Sequence, residues 1–145
     1  MEKTSVGRWM TRNPVTIETD ASIVEAVHLL KEKNIRRLPV MKGGKVAGVV
    51  TEKMLLSYMP SKATSLDHWE VQYLLGKTPV SEAMNPSPHT VKAETDITEA
   101  ARLLHDRKLN GVLVVDEAGG LVGIFTTTNA LEALVAFAQE CQAGR

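Results

Sequence analysis

Residues 6–56 return as residues 80–131, and a chain that uses one unit twice must fold around an internal pseudo-symmetry. Met10 matches Met84, Pro14 matches Pro88, Thr16 matches Thr90 and Val40 matches Val114, all at an offset of 74. Beyond the next turn the offset becomes 75, aligning Gly44 with Gly119, Gly48 with Gly123, Thr51 with Thr126 and Leu56 with Leu131. One extra residue in the second turn accounts for the slip. Two copies of about 50 residues are too few for a solenoid, so the pattern predicts a closed pair around a shared cleft. The expected organisation is a first repeat at 1–59, a linker at 60–79 and a second repeat with a terminal helix at 80–145.

Each repeat reads as strand, helix, strand, strand, helix. Val15-Thr16-Ile17 and His89-Thr90-Val91 are the expected first strands. Ser22 with Glu25, and Asp96 with Glu99, have the spacing of an N-cap and its capping-box acid. Ile23, Ala26, Val27 and Leu30 follow the stripe of a helix buried on one face, and Ile97, Ala100, Ala101 and Leu104 repeat it. Leu38 to Met41, a Lys42-Gly43-Gly44-Lys45 turn and Val46 to Thr51 signal a hairpin. The second copy substitutes Val112 to Val115, a longer turn from Asp116 to Gly120, and Leu121 to Thr126. The linker matches neither repeat. Its Leu66, Trp69, Tyr73 and Leu74 predict a short amphipathic helix whose aromatic residues pack rather than stack on a base. From Asn129 to Gln142 the longest helix is expected, with Leu131, Leu134, Val135 and Ala138 covering the core or joining a dimer.

Charge and composition exclude several function classes. The 145 residues are 43% hydrophobic, enough for a substantial core, with 17 basic against 17 acidic side chains and no basic run of nucleic-acid or membrane-surface type. Cys141 is the only cysteine, which excludes an internal disulfide and a multi-cysteine metal site. No apolar stretch approaches the ~20 residues of a membrane span, and no signal-peptide core is present, so a cytoplasmic location is expected. His28, His68, His89 and His105 are scattered without metal-ligand spacing. Gly43-Gly44-Lys45 lacks the spacing of a phosphate loop and joins two strands. No catalytic residue and no metal ligand is assigned, and the expectation is a protein without enzymatic activity.

Asn13-Pro14-Val15-Thr16-Ile17, Ile35-Arg36-Arg37-Leu38-Pro39-Val40, Gly48-Val49-Val50-Thr51 and Gly123-Ile124-Phe125-Thr126, together with the duplication, resemble the tandem cystathionine-β-synthase (CBS) domain pair. Residues 61–66, followed by Tyr73-Leu74-Leu75, look like the CBS part of bacterial acetoin-utilisation-type proteins, which often carry a C-terminal ACT domain. No ACT domain is present, so the chain reads as a stand-alone protein or as a fragment of a longer one. The resemblance implies an α/β fold of two pseudo-symmetric β-α-β-β-α repeats. It also implies a sensor that binds AMP, ADP, ATP or S-adenosylmethionine between the repeats, associates as a homodimer and regulates a fused or separate domain. The alternative is an interaction module without nucleotide binding.

The resemblance assigns ligand-binding roles to particular residues. Thr51 and Thr126 stand where a strand hands over to a helix, a position that suits a phosphate and equally an ordinary N-cap. Thr16 with Ile17, and Thr90 with Val91, would contact an adenine ring, or are plain strand residues. Arg36 would reach phosphate oxygens, and its counterpart in the second repeat is Asn110, so the two clefts are chemically unequal. Three residues after each Thr the family has an Asp that accepts from the ribose hydroxyls, and here Met54 and Asn129 stand instead. A thioether is too weak an acceptor for that task, whereas Asn129 keeps one carbonyl oxygen. The expected site is therefore the cleft containing Thr126 and Asn129, with Arg36 or Lys53 reaching the phosphates. Met54 would be an apolar wall or a packing residue.

Overall fold

A computed structural model describes residues 2–58 and 67–144. In chain order the elements are α1 (Val6–Trp9), β1 (Thr11–Arg12), β2 (Ile17–Glu18), α2 (Ile23–Lys33), β3 (Arg37–Lys42), β4 (Lys45–Thr51), α3 (Glu52–Ser57) and α4 (His68–Lys77). A 3₁₀ turn (Val80–Glu82) leads to β5 (Thr90–Val91), α5 (Ile97–Arg107), β6 (Gly111–Val115), β7 (Leu121–Thr126) and α6 (Thr127–Ala143). They form two compact units, one of Met1–Pro14 with His89–Arg145 and one of Val15–Pro88. Each unit thus joins the body of one repeat to the opening segment of the other.

In the Val15–Pro88 unit a sheet of order β2-β3-β4 has β2 parallel and β4 antiparallel to β3. The other unit repeats this as β5-β6-β7 and adds β1 on the β7 edge, giving the order β1-β7-β6-β5. The parallel pairs need a crossover, which α2 and α5 supply. Even the irregularities coincide, since both hairpins shift register just after the residue facing the glycine, at Val40/Met41 and at Val114/Val115. Gly43 and Gly44, at φ +58° and +78°, make the two-residue turn of the first hairpin, for which positive φ at both positions is required.

Helix starts follow from side-chain caps. Ser22 Oγ accepts from the Glu25 N–H at 3.0 Å, but no reciprocal bond from the Glu25 side chain closes a box. At α5 the Asp96 carboxylate accepts from the Thr98 N–H at 2.9 Å rather than from residue 99. The Thr98 hydroxyl and then its N–H hold that carboxyl below its ordinary pKa. Both expected capping boxes are therefore corrected to simple caps. A short polar side chain already satisfies a first-turn donor, and the acid of that turn, Glu25 or Glu99, is left in solvent.

The apolar stripes land as the periodicity predicts. Ile23, Ala26 and Leu30 are buried with Leu38, Val40 and Val50, and Ile97, Ala100 and Leu104 are buried with Val112, Val114 and Phe125. Each large aliphatic chain so buried contributes about 1.5–3 kcal/mol. Val6 and Val80, one from each crossing segment, are completely buried in these cores. The crossing segments also explain two glycines. A Cβ at Gly48 would lie 2.5 Å from the Asn85 carbonyl oxygen and 2.7 Å from Met84 Sδ, and one at Gly123 would lie 2.6 Å from the Thr11 carbonyl oxygen and 2.8 Å from Met10 Sδ.

Two expectations about elements change, and one left open is decided. The first strands begin later, at Ile17 and Thr90, which leaves Thr16 and His89 outside the ladders. The linker helix forms at His68–Lys77, with Leu66 outside the described residues, but it does not pack through its aromatic side chains. Trp69 is 80% exposed and Tyr73 66% exposed, while Leu75 packs against the core beneath α2. The aromatic spacing had the helical period but marked the outer face. On α6, Leu131, Leu134 and Val135 are exposed rather than covering the core; Ala133 and Phe137 do that instead.

Candidate functional site

Each unit carries a strand-to-helix turn at the same point of its fold. In the Val15–Pro88 unit, β4 ends at Thr51, whose hydroxyl accepts from the Met54 N–H at 3.1 Å. The Glu52 N–H donates to the Arg36 carbonyl at 2.9 Å. In the other unit the Thr127 N–H donates to the Asn110 carbonyl at 3.0 Å. Arg36 and Asn110 are thus structural counterparts, as the sequence offset predicts, and both are exposed.

The two turns differ in chemistry. At the second, Thr126 and Asn129 form a reciprocal capping box. Asn129 Oδ1 accepts from the Thr126 N–H at 2.8 Å and from its hydroxyl at 3.0 Å, and the Asn129 N–H donates back to Thr126 Oγ1 at 3.3 Å. Asn129 is buried, and its Nδ2 reaches Thr11 Oγ1 on β1 at 3.4 Å. Both lone pairs of the carbonyl oxygen are therefore occupied within the chain. At the first turn Met54 is half-buried and offers no such group, and Lys53 is exposed on the short helix α3.

A further difference lies across the hairpins. Directly opposite residues of antiparallel strands share a face of the sheet. Arg37 stands opposite Thr51, whereas Gly111 stands opposite Thr126. Arg37 is half-buried, burial pulls its pKa below the ordinary guanidinium value, and among the described residues no carboxylate lies within ion-pair distance of it. The pattern that selects Arg36 does not single out this neighbour. The signal was the hairpin register, which sets residue 37 directly opposite the cap.

Thr16 and Ile17 occupy a different place. Ile17 pairs with Val40, and β2 lies on the far side of β3 from β4, two strand spacings or about 10 Å from the Thr51 edge. They line an open groove of about 530 Å³ with Glu18, Asp20 and Glu25, an acidic surround that suits an uncharged or cationic group better than phosphate. Thr90 and Val91 sit equivalently on β5, pairing with Leu113 and Val114. Among the described residues no cluster of His, Cys, Asp or Glu has metal-site geometry, and no helix is long and apolar enough to cross a membrane.

Comparison with known proteins adds the following. The CBS domain family model matches residues 6–61 and again 80–136. The chloroplastic CBS domain-containing protein CBSX2 of Arabidopsis thaliana is 32% identical over 158 residues, covering 95% of this chain; the chain spans 66% of its length. A crystal structure of CBSX2 in complex with AMP superposes with a TM-score of 0.76 at 34% identity, covering 92% of this chain and 98% of that one. The acetoin utilization protein AcuB from Vibrio cholerae has the same fold, with a TM-score of 0.77 at 24% identity over 96% of both chains. Inosine-5′-monophosphate dehydrogenase of Thermoplasma acidophilum is 28% identical over 120 residues, matching 83% of this chain but only 21% of the enzyme.

Proposed function

Because the chain belongs to the CBS domain family and carries its module twice, we propose that it is a regulatory module that binds an adenosine-containing ligand and transmits occupancy to a protein it controls. The similarity to CBSX2, which binds AMP in its crystal structure, carries this reading, because it spans nearly the whole chain at 34% identity. AMP, ADP, ATP and S-adenosylmethionine are the candidate ligands. The regulated domain is fused or separate, and the match to a short stretch of a larger enzyme fits the fused arrangement. The module itself performs no chemistry, works in the cytoplasm and acts as a homodimer, for which the exposed apolar face of α6 supplies surface.

The ribose belongs at the Thr126 turn. Asn129 Oδ1 has both lone pairs on Thr126, so a ribose hydroxyl displaces the Thr126 hydroxyl from one of them and frees that O–H to donate to the ligand. Thr90 and Val91 contribute the adenine side, with Asn110 at the adjoining corner. In the other unit Thr16, Ile17, Thr51, Arg36 and Lys53 form a weaker counterpart, because Met54 there is an apolar wall that accepts nothing from a ribose. A second reading is favoured by one observation: Met54 lacks a ribose acceptor and the Asn129 oxygen is already satisfied, as expected of an interaction module that has lost its ligand.

Thermal stability against AMP, ADP, ATP and S-adenosylmethionine separates the two. A ligand at 100 times its Kd stabilises by about 2.7 kcal/mol, a shift of several degrees. Binding at the Thr126 turn further requires that Asn129→Ala weaken the ligand more than Met54→Ala does. Flat melting curves for every compound would leave the interaction module as the reading.

A further inference from the structure

Both ends of the Asn129 side-chain amide are engaged within its own unit. The residue is 6% exposed. Its Oδ1 accepts from the Thr126 N–H at 2.8 Å and from the Thr126 hydroxyl at 3.0 Å, and its Nδ2 donates to Thr11 Oγ1 at 3.4 Å. Thr11 is itself fixed, since its strand β1 pairs with β7 opposite Ile124. Turning the amide over would set Nδ2 against the Thr126 N–H, donor against donor in a buried place, so the oxygen end is held towards the turn.

The two donors on Oδ1 are not equally replaceable. The Thr126 N–H belongs to the backbone of the cap and stays where the helix start puts it. The hydroxyl rotates about its C–O bond and can leave. One lone pair of one buried oxygen is therefore open to exchange. Gly111, opposite Thr126, brings no side chain that could add a second buried acceptor. Asn110, Thr127 and Thr128 are exposed, so water competes for the hydrogen bonds they offer.

We propose that the Thr126 turn reads a single sugar hydroxyl and so takes 2′-deoxy and 3′-deoxy adenosine compounds as readily as the ribose forms. This rests on the ribose placement proposed above and sets its specificity. The two hydroxyls of ribose sit on neighbouring carbons, and whichever one remains can make the exchange with Thr126. Removing one hydroxyl then leaves no buried group of the protein unsatisfied, the condition under which discrimination is weak. Removing both returns the Thr126 O–H to Asn129, and the ligand loses its bond to Asn129 together with the one from Thr126.

Isothermal titration of the full chain with AMP, 2′-deoxy-AMP, 3′-deoxy-AMP and 2′,3′-dideoxy-AMP tests this. Each monodeoxy compound should bind within about fivefold of AMP, and the dideoxy compound about tenfold or more weakly, the worth of one to two neutral hydrogen bonds. In Asn129→Asp the carboxylate supplies two acceptor oxygens, so both hydroxyls find partners and each monodeoxy compound should fall about tenfold or more below AMP. A larger loss than fivefold for either monodeoxy compound on the unaltered chain would overturn the single-hydroxyl reading while leaving the ribose at this turn. So would an Asn129→Asp chain that binds AMP and the monodeoxy compounds alike. The series on the unaltered chain decides by itself where the substitution disturbs the cap. Dideoxy-AMP binding as tightly as AMP, or no heat with AMP at all, would overturn the ribose placement and this specificity with it.

Discussion

At Gly123 the Thr11 carbonyl oxygen and Met10 Sδ occupy the space a side chain would need, and at Gly48 the Asn85 carbonyl oxygen and Met84 Sδ do the same. Backbone is among the atoms that would have to move, so repacking cannot absorb a methyl group. Gly48→Ala and Gly123→Ala should each cost about 1–3 kcal/mol in urea denaturation, the range of overpacked sites. The motif glycines are legible in the sequence as a repeated pair; their cause is not, because the segment that crosses each one lies about 40 residues away in one unit and over 100 in the other. Lys108 offers a contrast. It ends α5 in the left-handed conformation at φ +56°, where its counterpart Asn34 ends α2 at φ +53°. Asparagine tolerates that region and lysine does so poorly, so Lys108→Gly should stabilise the chain by about 0.5–1 kcal/mol, read as a raised Tm. Asn129 shows how a residue chosen for a ligand also has local work: its oxygen closes the cap that starts α6.

Among the elements, the buried faces of α2 and α5 follow from period alone, because a stripe at i, i+3, i+4 and i+7 can bury its apolar side chains only against another element. Helix α4 shows the limit of that reasoning. Trp69 and Tyr73 share a helix face, yet the face that meets α2 is the one carrying Leu75, and no local pattern distinguishes an apolar face that finds a neighbour from one that does not. Trp69→Ala should therefore change stability by no more than about 0.5 kcal/mol. Leu75→Ala should cost about 1–2 kcal/mol, below the 2–5 of a fully buried leucine. Paired chemical denaturation curves check both, and a large loss at Trp69 would mean that its ring is covered. The exposed ridge on α6 was open in the sequence between core and dimer, and the packing of buried Ala133 and half-buried Phe137 on the opposite side decides against the core.

For the whole molecule, the duplication predicts two like bodies, and both units indeed repeat one plan down to the position of the hairpin irregularity. The exchange of opening segments was hidden, since residues 2–14 read as the beginning of the first repeat but pack with the body of the second. The chemical inequality of the turns was half visible. Met54 against Asn129, and Arg36 against Asn110, stand in the aligned copies, whereas Arg37 against Gly111 opposite the caps emerges only from strand register. Under the proposed function these differences favour one nucleoside site, at the Thr126 turn, over two equal ones. Isothermal titration of the full chain with AMP tests that claim most directly: a saturable heat with about one ligand per chain, lost in Asn129→Ala and kept in Met54→Ala, is the predicted result. Two equivalent sites per chain, or no detectable heat with AMP or any of the other adenosine compounds, would contradict it.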